Sequence, residues 1–364
     1  MNRHIRDWQS LFPGIYMNKT ILISLGIGAA CIAGSVFGYD PSYYANKCGV
    51  DDPDACLKAC DFNVASSCTF LGLQYEKGNG VKQDYQKANE LYQKGCDLDD
   101  GGSCGTLGIS YETGKGVKQD HQKANKLFQK GCDLGDGVVC VYIGSKYKNG
   151  NGVKQDYQKA NELYRKGCDL GNGLSCGNLG FQYKNGNGVR QDHQKASELF
   201  QKGCALNDGG SCVNLGIQYL LGYGVKQDYQ KAGELFQKEC DLGNGLSCGL
   251  LGFQYENGQD VKQDYQKANE LYQKGCDLDD GGSCGTLGIS YETGKGVKQD
   301  HQKANKLFQK GCDLGNGPSC GILGGQYENG TGLRQDYQKA KLYYGKACDL
   351  GEQTGCDEYK RLNH

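Results

Sequence analysis

This chain has little proline or tryptophan and no excess of either charge. Its 364 residues include 4 Pro and 1 Trp, and 41 Lys plus Arg nearly balance 42 Asp plus Glu. Because the two signs are mixed in every segment, no electrostatic footprint points to nucleic acid or to an anionic membrane. The chain is rich instead in Gly (59) and Cys (21), so internal repeats should be sought before a fold.

An apolar run at 21–36 is too short to be typical of a membrane span. It follows a lysine and ends among small residues, as a secretory signal peptide does. We therefore expect 1–38 to be a signal peptide with an extended n-region, with Met17 as the favoured start and cleavage at its end or after Ser35. An uncleaved anchor and a lipoprotein attached through Cys31 are the alternatives.

Cysteines recur every 36 residues from Cys60 to Cys348, and each has a companion eight residues further on. A period in the thirties is typical of helical-hairpin solenoids. In the unit that starts at Cys104, Leu107 is followed by apolar positions at helical spacing, then a Gly-rich turn, and then Asp120 as N-cap of a second amphipathic run. Each unit is therefore predicted to be two short helices. Serines just before the companion cysteines are predicted N-caps of the first helices: Ser103, Ser175, Ser211, Ser247, Ser283 and Ser319.

The eight-residue spacing places two cysteines across a tight corner between helices, within disulfide reach. Without the leader 20 cysteines remain, an even number that suits an oxidising compartment. Each bond is worth roughly 2.5 kcal/mol in the chain-entropy model. The predicted disulfides are Cys48–Cys56, Cys60–Cys68, Cys96–Cys104, Cys132–Cys140, Cys168–Cys176, Cys204–Cys212, Cys240–Cys248, Cys276–Cys284, Cys312–Cys320 and Cys348–Cys356.

Two alternatives stay open at this point. The first four of these cysteines permit three connectivities, of which we favour the one given. Zinc ligation is the other, but zinc sites use pairs two to four residues apart, and here only Cys56 and Cys60 are that close. The predicted organisation is a compressed, disulfide-bonded cap at 39–67, eight repeats at 68–355 and a C-terminal tail at 356–364.

The repeated run from the companion cysteine through "LG", Tyr, the "G-x-G-V" turn, "QDYQKA" and "LYQKGCDLG" resembles a Sel1-like repeat, a relative of the tetratricopeptide fold. With the cysteine pairs and the leader, the chain resembles the Helicobacter cysteine-rich protein family over about 60–356. The resemblance implies an all-α fold, a right-handed α/α superhelical solenoid with one disulfide per repeat, in a secreted or periplasmic protein. It also implies penicillin binding, slow β-lactamase activity and contact with a host.

Most positions argue against an enzyme. Residues 81–135 are identical to 261–315, so any candidate side chain there is duplicated, whereas a catalytic centre needs a unique cluster. His121, His193 and His301 occupy a repeat position that elsewhere holds Tyr, which favours an aromatic packing or surface role. The sequence is interpreted as holding no S-x-x-K, no S-D-N and no K-T-G motif of a serine β-lactamase, and close histidines for zinc are missing. We expect no cofactor and no metal.

Function is expected on the concave surface that first helices line in such solenoids. Six places beyond each companion cysteine stands a mostly uncharged polar residue, and we interpret this ladder as a ligand groove: Gln74, Ser110, Lys146, Gln182, Gln218, Gln254, Ser290 and Gln326. Neighbouring variable places add Phe70, Tyr142, Phe181, Leu250 and Phe253. The sequence thus predicts a scaffold for peptide, protein or peptidoglycan-like, cell-wall-derived ligands, with a weak β-lactam hydrolase as the alternative. Nucleic acid and membrane insertion after cleavage are not expected.

Overall fold

The computed structural model describes residues 41–363. The predicted signal peptide, with its alternative start and cleavage sites and Cys31, lies outside the described residues. Within 41–363 there are nineteen helices and no strand, and one isolated bridge joins Gly49 to Asp52. None of these helices is long and apolar enough to cross a membrane.

The helices are of two alternating kinds after an initial pair, α1 (Pro41–Lys47) and α2 (Pro53–Asp61). The first helices of the repeats are α3 (Ala65–Lys77), α5 (Gly101–Thr113), α7 (Gly137–Asn149), α9 (Gly173–Asn185), α11 (Gly209–Leu221), α13 (Gly245–Asn257), α15 (Gly281–Thr293), α17 (Gly317–Asn329) and α19 (Gln353–Arg361). The second helices are α4 (Tyr85–Asp97), α6 (His121–Asp133), α8 (Tyr157–Asp169), α10 (His193–Ala205), α12 (Tyr229–Asp241), α14 (Tyr265–Asp277), α16 (His301–Asp313) and α18 (Tyr337–Asp349).

The chain divides after Val139 into two compact units. Inside each unit, a second helix packs against the first helix of its own repeat and against the first helix of the next repeat. Each repeat therefore buries its apolar faces only with its neighbours, which is the arrangement of a solenoid.

Disulfides close the corners between repeats. Cys132 and Cys140 are each disulfide-bonded, and the other pairs hold Cα atoms 4.3 to 4.7 Å apart: Cys48–Cys56, Cys60–Cys68, Cys96–Cys104, Cys168–Cys176, Cys204–Cys212, Cys240–Cys248, Cys276–Cys284, Cys312–Cys320 and Cys348–Cys356. From the second of these pairs onward, each bond ties the end of one helix to the start of the first helix that follows. The expected all-α solenoid with a disulfide in each repeat is confirmed.

The ends of the array differ from the predicted boundaries. The predicted cap contains α1 and α2, and its last residues, 65–67, already belong to α3. The predicted tail at 356–364 lies mostly in α19, because Cys356 stands inside a helix that Glu352 precedes as N-cap. One more helix therefore packs on the last repeat than the sequence pattern indicated.

Helix starts are set by acidic and amide side chains. Asp120 caps α6 as predicted, since its Oδ1 accepts a hydrogen bond from the Lys123 N–H at 2.9 Å. The predicted serine caps of the first helices are wrong. In α5 the cap is Asp100, whose Oδ2 accepts from the N–H of Ser103 at 2.7 Å, so that serine is the third helical residue. Asp100 stands at the N-cap position, from which a side chain reaches the N–H of the third helical residue, whereas Ser103 is itself that third residue. The same capping residues occur in the other repeats: Asn172, Asp208, Asn244, Asp280 and Asn316.

The core of each repeat is a ring packed on a glycine. The eighth residue of each second helix is a buried aromatic: Tyr92, Phe128, Tyr164, Phe200, Phe236, Tyr272, Phe308 or Tyr344. Its ring lies against the glycine of the "LG" pair in the first helix. A Cβ built on Gly216, for example, would stand 2.6 Å from Phe236 Cε1. The glycine is therefore what permits the two helices to approach closely.

A second close approach, at the disulfide corner, leads to a stability prediction. A Cβ on Gly275 would lie 2.4 Å from Ser283 Oγ and 2.9 Å from the Gly245 carbonyl oxygen. We expect Gly275→Ala to lower the free energy of unfolding by about 1–3 kcal/mol through overpacking. Gly321→Ala is the matched control, because its Cβ would meet only Ala347 Cβ at 4.0 Å, and it should be neutral or stabilising by up to about 1 kcal/mol. Urea unfolding followed by circular dichroism measures both, and equal midpoints would contradict the packing account.

Candidate functional site

The predicted polar ladder is buried. Its eight side chains are between 1% and 8% exposed: Gln74, Ser110, Lys146, Gln182, Gln218, Gln254, Ser290 and Gln326. The placement of these residues on an exposed face of the first helices is therefore wrong. Each stands three places after a buried leucine of its helix, or after Ile143 in the case of Lys146, and residues three apart share a face.

Two glutamines of the ladder, Gln74 and Gln254, bind backbone carbonyls. Gln74 Nε2 donates a hydrogen bond to the carbonyl oxygen of Gly49 at 2.8 Å, and Gln254 Nε2 donates to that of Tyr229 at the same distance. The second of these acceptors is the first residue of the preceding second helix. A buried amide that donates to a backbone carbonyl of the preceding element satisfies its own hydrogen-bonding need and joins the two elements. The polar ladder is accordingly a structural feature of the repeat interface.

The face of the first helices that solvent does reach is a different one. It consists of four places per helix, the first of which lies two residues before the companion cysteine, and we call it the variable stripe. In the second unit it comprises Leu174, Asn178, Phe181 and Asn185 on α9; Gly210, Asn214, Ile217 and Leu221 on α11; Leu246, Leu250, Phe253 and Asn257 on α13; Gly282, Thr286, Ile289 and Thr293 on α15; and Pro318, Ile322, Gly325 and Asn329 on α17, all exposed or half-buried. The spacing of four, three and four residues keeps each set on one helix face.

Large apolar side chains stand out in this stripe. Leu174 is 52% exposed, Phe181 36%, Leu246 49%, Phe253 43% and Ile289 47%. The five apolar residues that the sequence placed near the ladder are at stripe positions too. The helices that carry the stripe lie side by side, since α9 contacts α11, and α15 contacts both α13 and α17. The exposed apolar groups of α9 and α11 therefore lie on adjoining helices, and so do those of α13 and α15.

Residue identity varies in the stripe and hardly at all in the core. The third stripe place holds Phe181, Ile217, Phe253, Ile289 and Gly325 in successive repeats. Two residues before each of these stands a leucine, and that leucine is buried in every repeat of the second unit from α9 to α17. The buried leucine is therefore the same in each of these repeats, whereas the exposed stripe residue differs from repeat to repeat.

The charged residues of the second helices form a solvated flank. Lys274 Nζ lies 3.0 Å from Asp241 Oδ1, and Lys202 Nζ lies 3.1 Å from Asp169 Oδ1. Hydrogen bonds from Gln237 and Lys274 hold the pKa of the Asp241 carboxyl below its usual range. Exposed pairs of this kind contribute about 0–1 kcal/mol, so they tune the surface without holding the fold.

A buried phenol with a shifted pKa proves to be structural. Burial, together with the hydrogen bond to Glu256 Oε2 at 2.6 Å, raises the pKa of Tyr272 well above its usual value. Glu256 also pairs with Lys295 at 2.7 Å. The same Tyr–Glu bond recurs between Tyr92 and Glu76. An arrangement copied in several repeats joins neighbouring helices and is no unique catalytic centre.

One S-x-x-K match, which the sequence-based search overlooked, lies in α7 as Ser145 to Lys148. Ser145 Oγ lies 3.1 Å from the phenol oxygen of Tyr164, and no hydrogen bond joins it to Lys148. With no S-D-N or K-T-G in the sequence, the motif has no partners with which to build a β-lactamase site.

The three histidines of the repeats are dispersed, each as the first residue of a second helix. The ring of His193 stacks on Tyr223 at 5.6 Å, and His301 Nδ1 lies 2.9 Å from Glu292 Oε2. Among residues 41–363, no group of three or more His, Cys, Asp or Glu side chains could hold a metal ion.

The chain consists of helical hairpins whose corners are closed by disulfides, and the residues that differ between repeats lie on one exposed surface. This arrangement defines a solenoid repeat protein. The family model described as "Sel1 repeat" matches 65–100, 107–136, 140–172, 174–208, 210–244, 246–280, 287–316 and 319–352. The chain therefore belongs to the Sel1 repeat family, as the sequence resemblance predicted.

Solved structures support this at the level of the fold. A Sel1 repeat protein from Oxalobacter formigenes is 23% identical, with 85% of this chain and 90% of that chain covered and a TM-score of 0.68. A protective antigen of uropathogenic Escherichia coli displaying an SLR fold is 24% identical, with 85% and 82% covered and a TM-score of 0.57. Cysteine rich protein B of Helicobacter pylori is 34% identical over 37% of this chain and 97% of its own, with a TM-score of 0.31. A comparison with curated proteins gives no significant match.

Proposed function

We propose that this chain is an interaction scaffold of an oxidising compartment, secreted or periplasmic, that binds extended peptide or protein segments along the variable stripe. The observation that carries the proposal is the exposure of Leu246 and Phe253 on α13 and of Ile289 on the adjoining α15, with Leu174 and Phe181 exposed at the same places on α9. Contiguous apolar groups are left in water at a cost of about 25 cal/mol per Å², and their burial by a partner recovers that free energy.

The compartment follows from the cysteines. Every cysteine between residues 41 and 363 is disulfide-bonded. Disulfides persist outside the reducing cytosol, and an array of this density is typical of exported proteins. Contact with host proteins would suit such a location, and it belongs to the same proposal.

The hydrolase alternative has the family resemblance as its only basis. In the one S-x-x-K, the hydroxyl of Ser145 lies beside the phenol of Tyr164 and is not joined to Lys148. A scaffold also agrees better with the duplication of 55 residues at 81–135 and 261–315, since copied surfaces bind by repetition.

The test is peptide selection on the oxidised protein with two matched fourfold variants. A random peptide library is panned on the wild type, and the affinities of selected peptides are measured by isothermal calorimetry. The stripe variant replaces Leu174, Phe181, Leu246 and Phe253 by Ser. The control replaces by Ser four exposed leucines that cap the C-termini of second helices: Leu170, Leu206, Leu242 and Leu278.

We expect the stripe variant to weaken binding about tenfold or more and the control to stay within about twofold. Equal losses in both variants would mean that the peptides bind exposed leucines in general. Unchanged binding by the stripe variant would overturn the proposal. Saturable turnover of a chromogenic cephalosporin by the oxidised protein would favour the enzyme instead.

A further inference from the structure

Two successive repeats of the second unit depart from the others, each at one of two residues that face each other. Gly233 stands on α12 where most second helices have Asn, and Asp260 stands in the following turn where the other repeats have Gly. The two positions are 27 residues apart in the chain. In other repeats, the residue equivalent to 233 contacts the loop residue equivalent to Gln259, which directly precedes Asp260.

The contact that is normally made there is a hydrogen bond. Asn161 Nδ2 donates to the carbonyl oxygen of Asn187 at 2.9 Å, and Asn269 Nδ2 donates to that of Lys295 at 2.8 Å. In each case the acceptor lies 26 residues after the donor. Counted from Gly233, the equivalent acceptor is the carbonyl of Gln259, and glycine offers it no side-chain donor.

The turn itself is also altered. In most other repeats the second glycine of the turn lies directly on the preceding second helix. A Cβ on Gly224 would stand 2.0 Å from the His193 carbonyl oxygen, and a Cβ on Gly296 would stand 2.5 Å from Tyr265 Cβ. Asp260 keeps the left-handed backbone of the turn, with φ 53°, although it carries a side chain. The side chain of Asp260 fits at this position because the loop leaves space between itself and α12.

That space is a cavity of about 490 Å³ between α12, α13 and the loop. Its floor includes Gln254, which is 2% exposed. The Nε2 of Gln254 is used on the Tyr229 carbonyl, and its Oε1 has no protein partner. A Cβ at position 233 would stand 3.0 Å from that oxygen, so the absence of a side chain at Gly233 leaves the oxygen open to the cavity.

The rest of the lining is rich in acceptors. Gln259 Oε1 is buried without a hydrogen-bond partner. Three carboxylates line the cavity, those of Glu234, Asp241 and Asp260, against one cation, Lys238. An unsatisfied buried acceptor costs about 1–3 kcal/mol, which a ligand with N–H donors would recover.

We propose that this cavity binds a primary ammonium group, presented by a lysine side chain or by the amino terminus of a peptide. An ammonium is a compact charge with three donors, which suits two separate amide oxygens and a nearby carboxylate. A guanidinium instead favours a coplanar, bidentate carboxylate. None of the lining residues belongs to the variable stripe, so this site is independent of the function proposed above.

The probe is Nα-acetyl-lysine N-methylamide, titrated into the oxidised, ¹⁵N-labelled protein and followed by NMR. We expect saturable amide shifts confined to 229–241 and 251–261, with none from the neutral norleucine analogue. Glycinamide, which carries only an α-amino group, distinguishes an amino terminus from a lysine side chain as the source. Tighter binding of the arginine analogue, or shifts spread over the surface, would overturn the assignment.

Three variants locate the site. Gly233→Asn fills the cavity with the side chain of the other repeats, and Asp260→Gly removes the carboxylate and restores the usual turn. Each should weaken binding of the lysine probe about tenfold. Ser197→Asn makes the same kind of change in the preceding repeat, where Ser197 Oγ donates to the Tyr223 carbonyl, and should leave the affinity within about twofold. Unchanged affinity in both Gly233→Asn and Asp260→Gly would contradict the proposal.

Discussion

Reduction of the disulfides should unfold the chain at room temperature. Each bond closes a short loop and contributes about 2.5 kcal/mol in the chain-entropy model, so the ten together exceed the roughly 5–15 kcal/mol by which a typical domain is stable. Apart from Cys204, which is half-buried, the bonded cysteines from Cys56 to Cys320 are at most 5% exposed, so they also form part of the core. Far-UV circular dichroism before and after incubation with a reductant measures the loss of helix.

Two controls make this result specific. The oxidised protein without reductant should keep its helical signal, and reoxidation should restore it. Replacement of Cys276 and Cys284 together by Ala should produce a smaller, local loss in the repeats next to α14 and α15, because solenoid repeats interact only with their neighbours. Retention of the full helical signal after complete reduction would show that the helix packing is sufficient without the bonds.

Phe236→Ala should be the most destabilising single substitution of its repeat. The ring is fully buried and packs on Gly216, and its removal leaves a cavity that costs about 3–5 kcal/mol. Gly216→Ala should cost about 1–3 kcal/mol in the wild type, since its Cβ would stand 2.6 Å from Phe236 Cε1. Urea unfolding of the single variants and of the double variant measures the coupling between the two sites.

The double variant separates packing from other effects. Once the ring is absent, Gly216→Ala meets no clash and should be neutral or gain up to about 1 kcal/mol from helix propensity. Gln237→Ala, an exposed neighbour, should change stability by less than about 0.5 kcal/mol. Strict additivity of the Gly216 and Phe236 substitutions would contradict the account of ring-on-glycine packing.

The fold could be predicted because its determinants are local. The period of Cys, Leu, Gly and the aromatic ring specifies two helices and a corner in each unit, and the contacts of a solenoid connect only adjacent units. The serine caps were misassigned for an equally local reason. Ser103 has the capping chemistry, but Asp100 has it too and lies at the position from which a side chain reaches the third N–H.

The candidate surface was harder to predict. Gln254 was assigned to an exposed groove because it is polar, yet it is buried and binds the Tyr229 carbonyl. The signal against that assignment was present, since Gln254 follows Leu251 by three residues and so shares its buried face. The cavity was beyond sequence reasoning. Gly233 and Asp260 are visible as departures, but only the structure shows that they meet.

The pairing of the cysteines can be measured directly by non-reducing peptide mapping of the chain exported under native conditions. In the series of cysteines that recur every 36 residues from Cys60 to Cys348, mass spectrometry should find each one linked to the cysteine eight residues later. It should also find Cys48 linked to Cys56. No free thiol should react with an alkylating reagent. Free thiols, or links between other partners, would contradict the disulfide-locked solenoid and the oxidising compartment together.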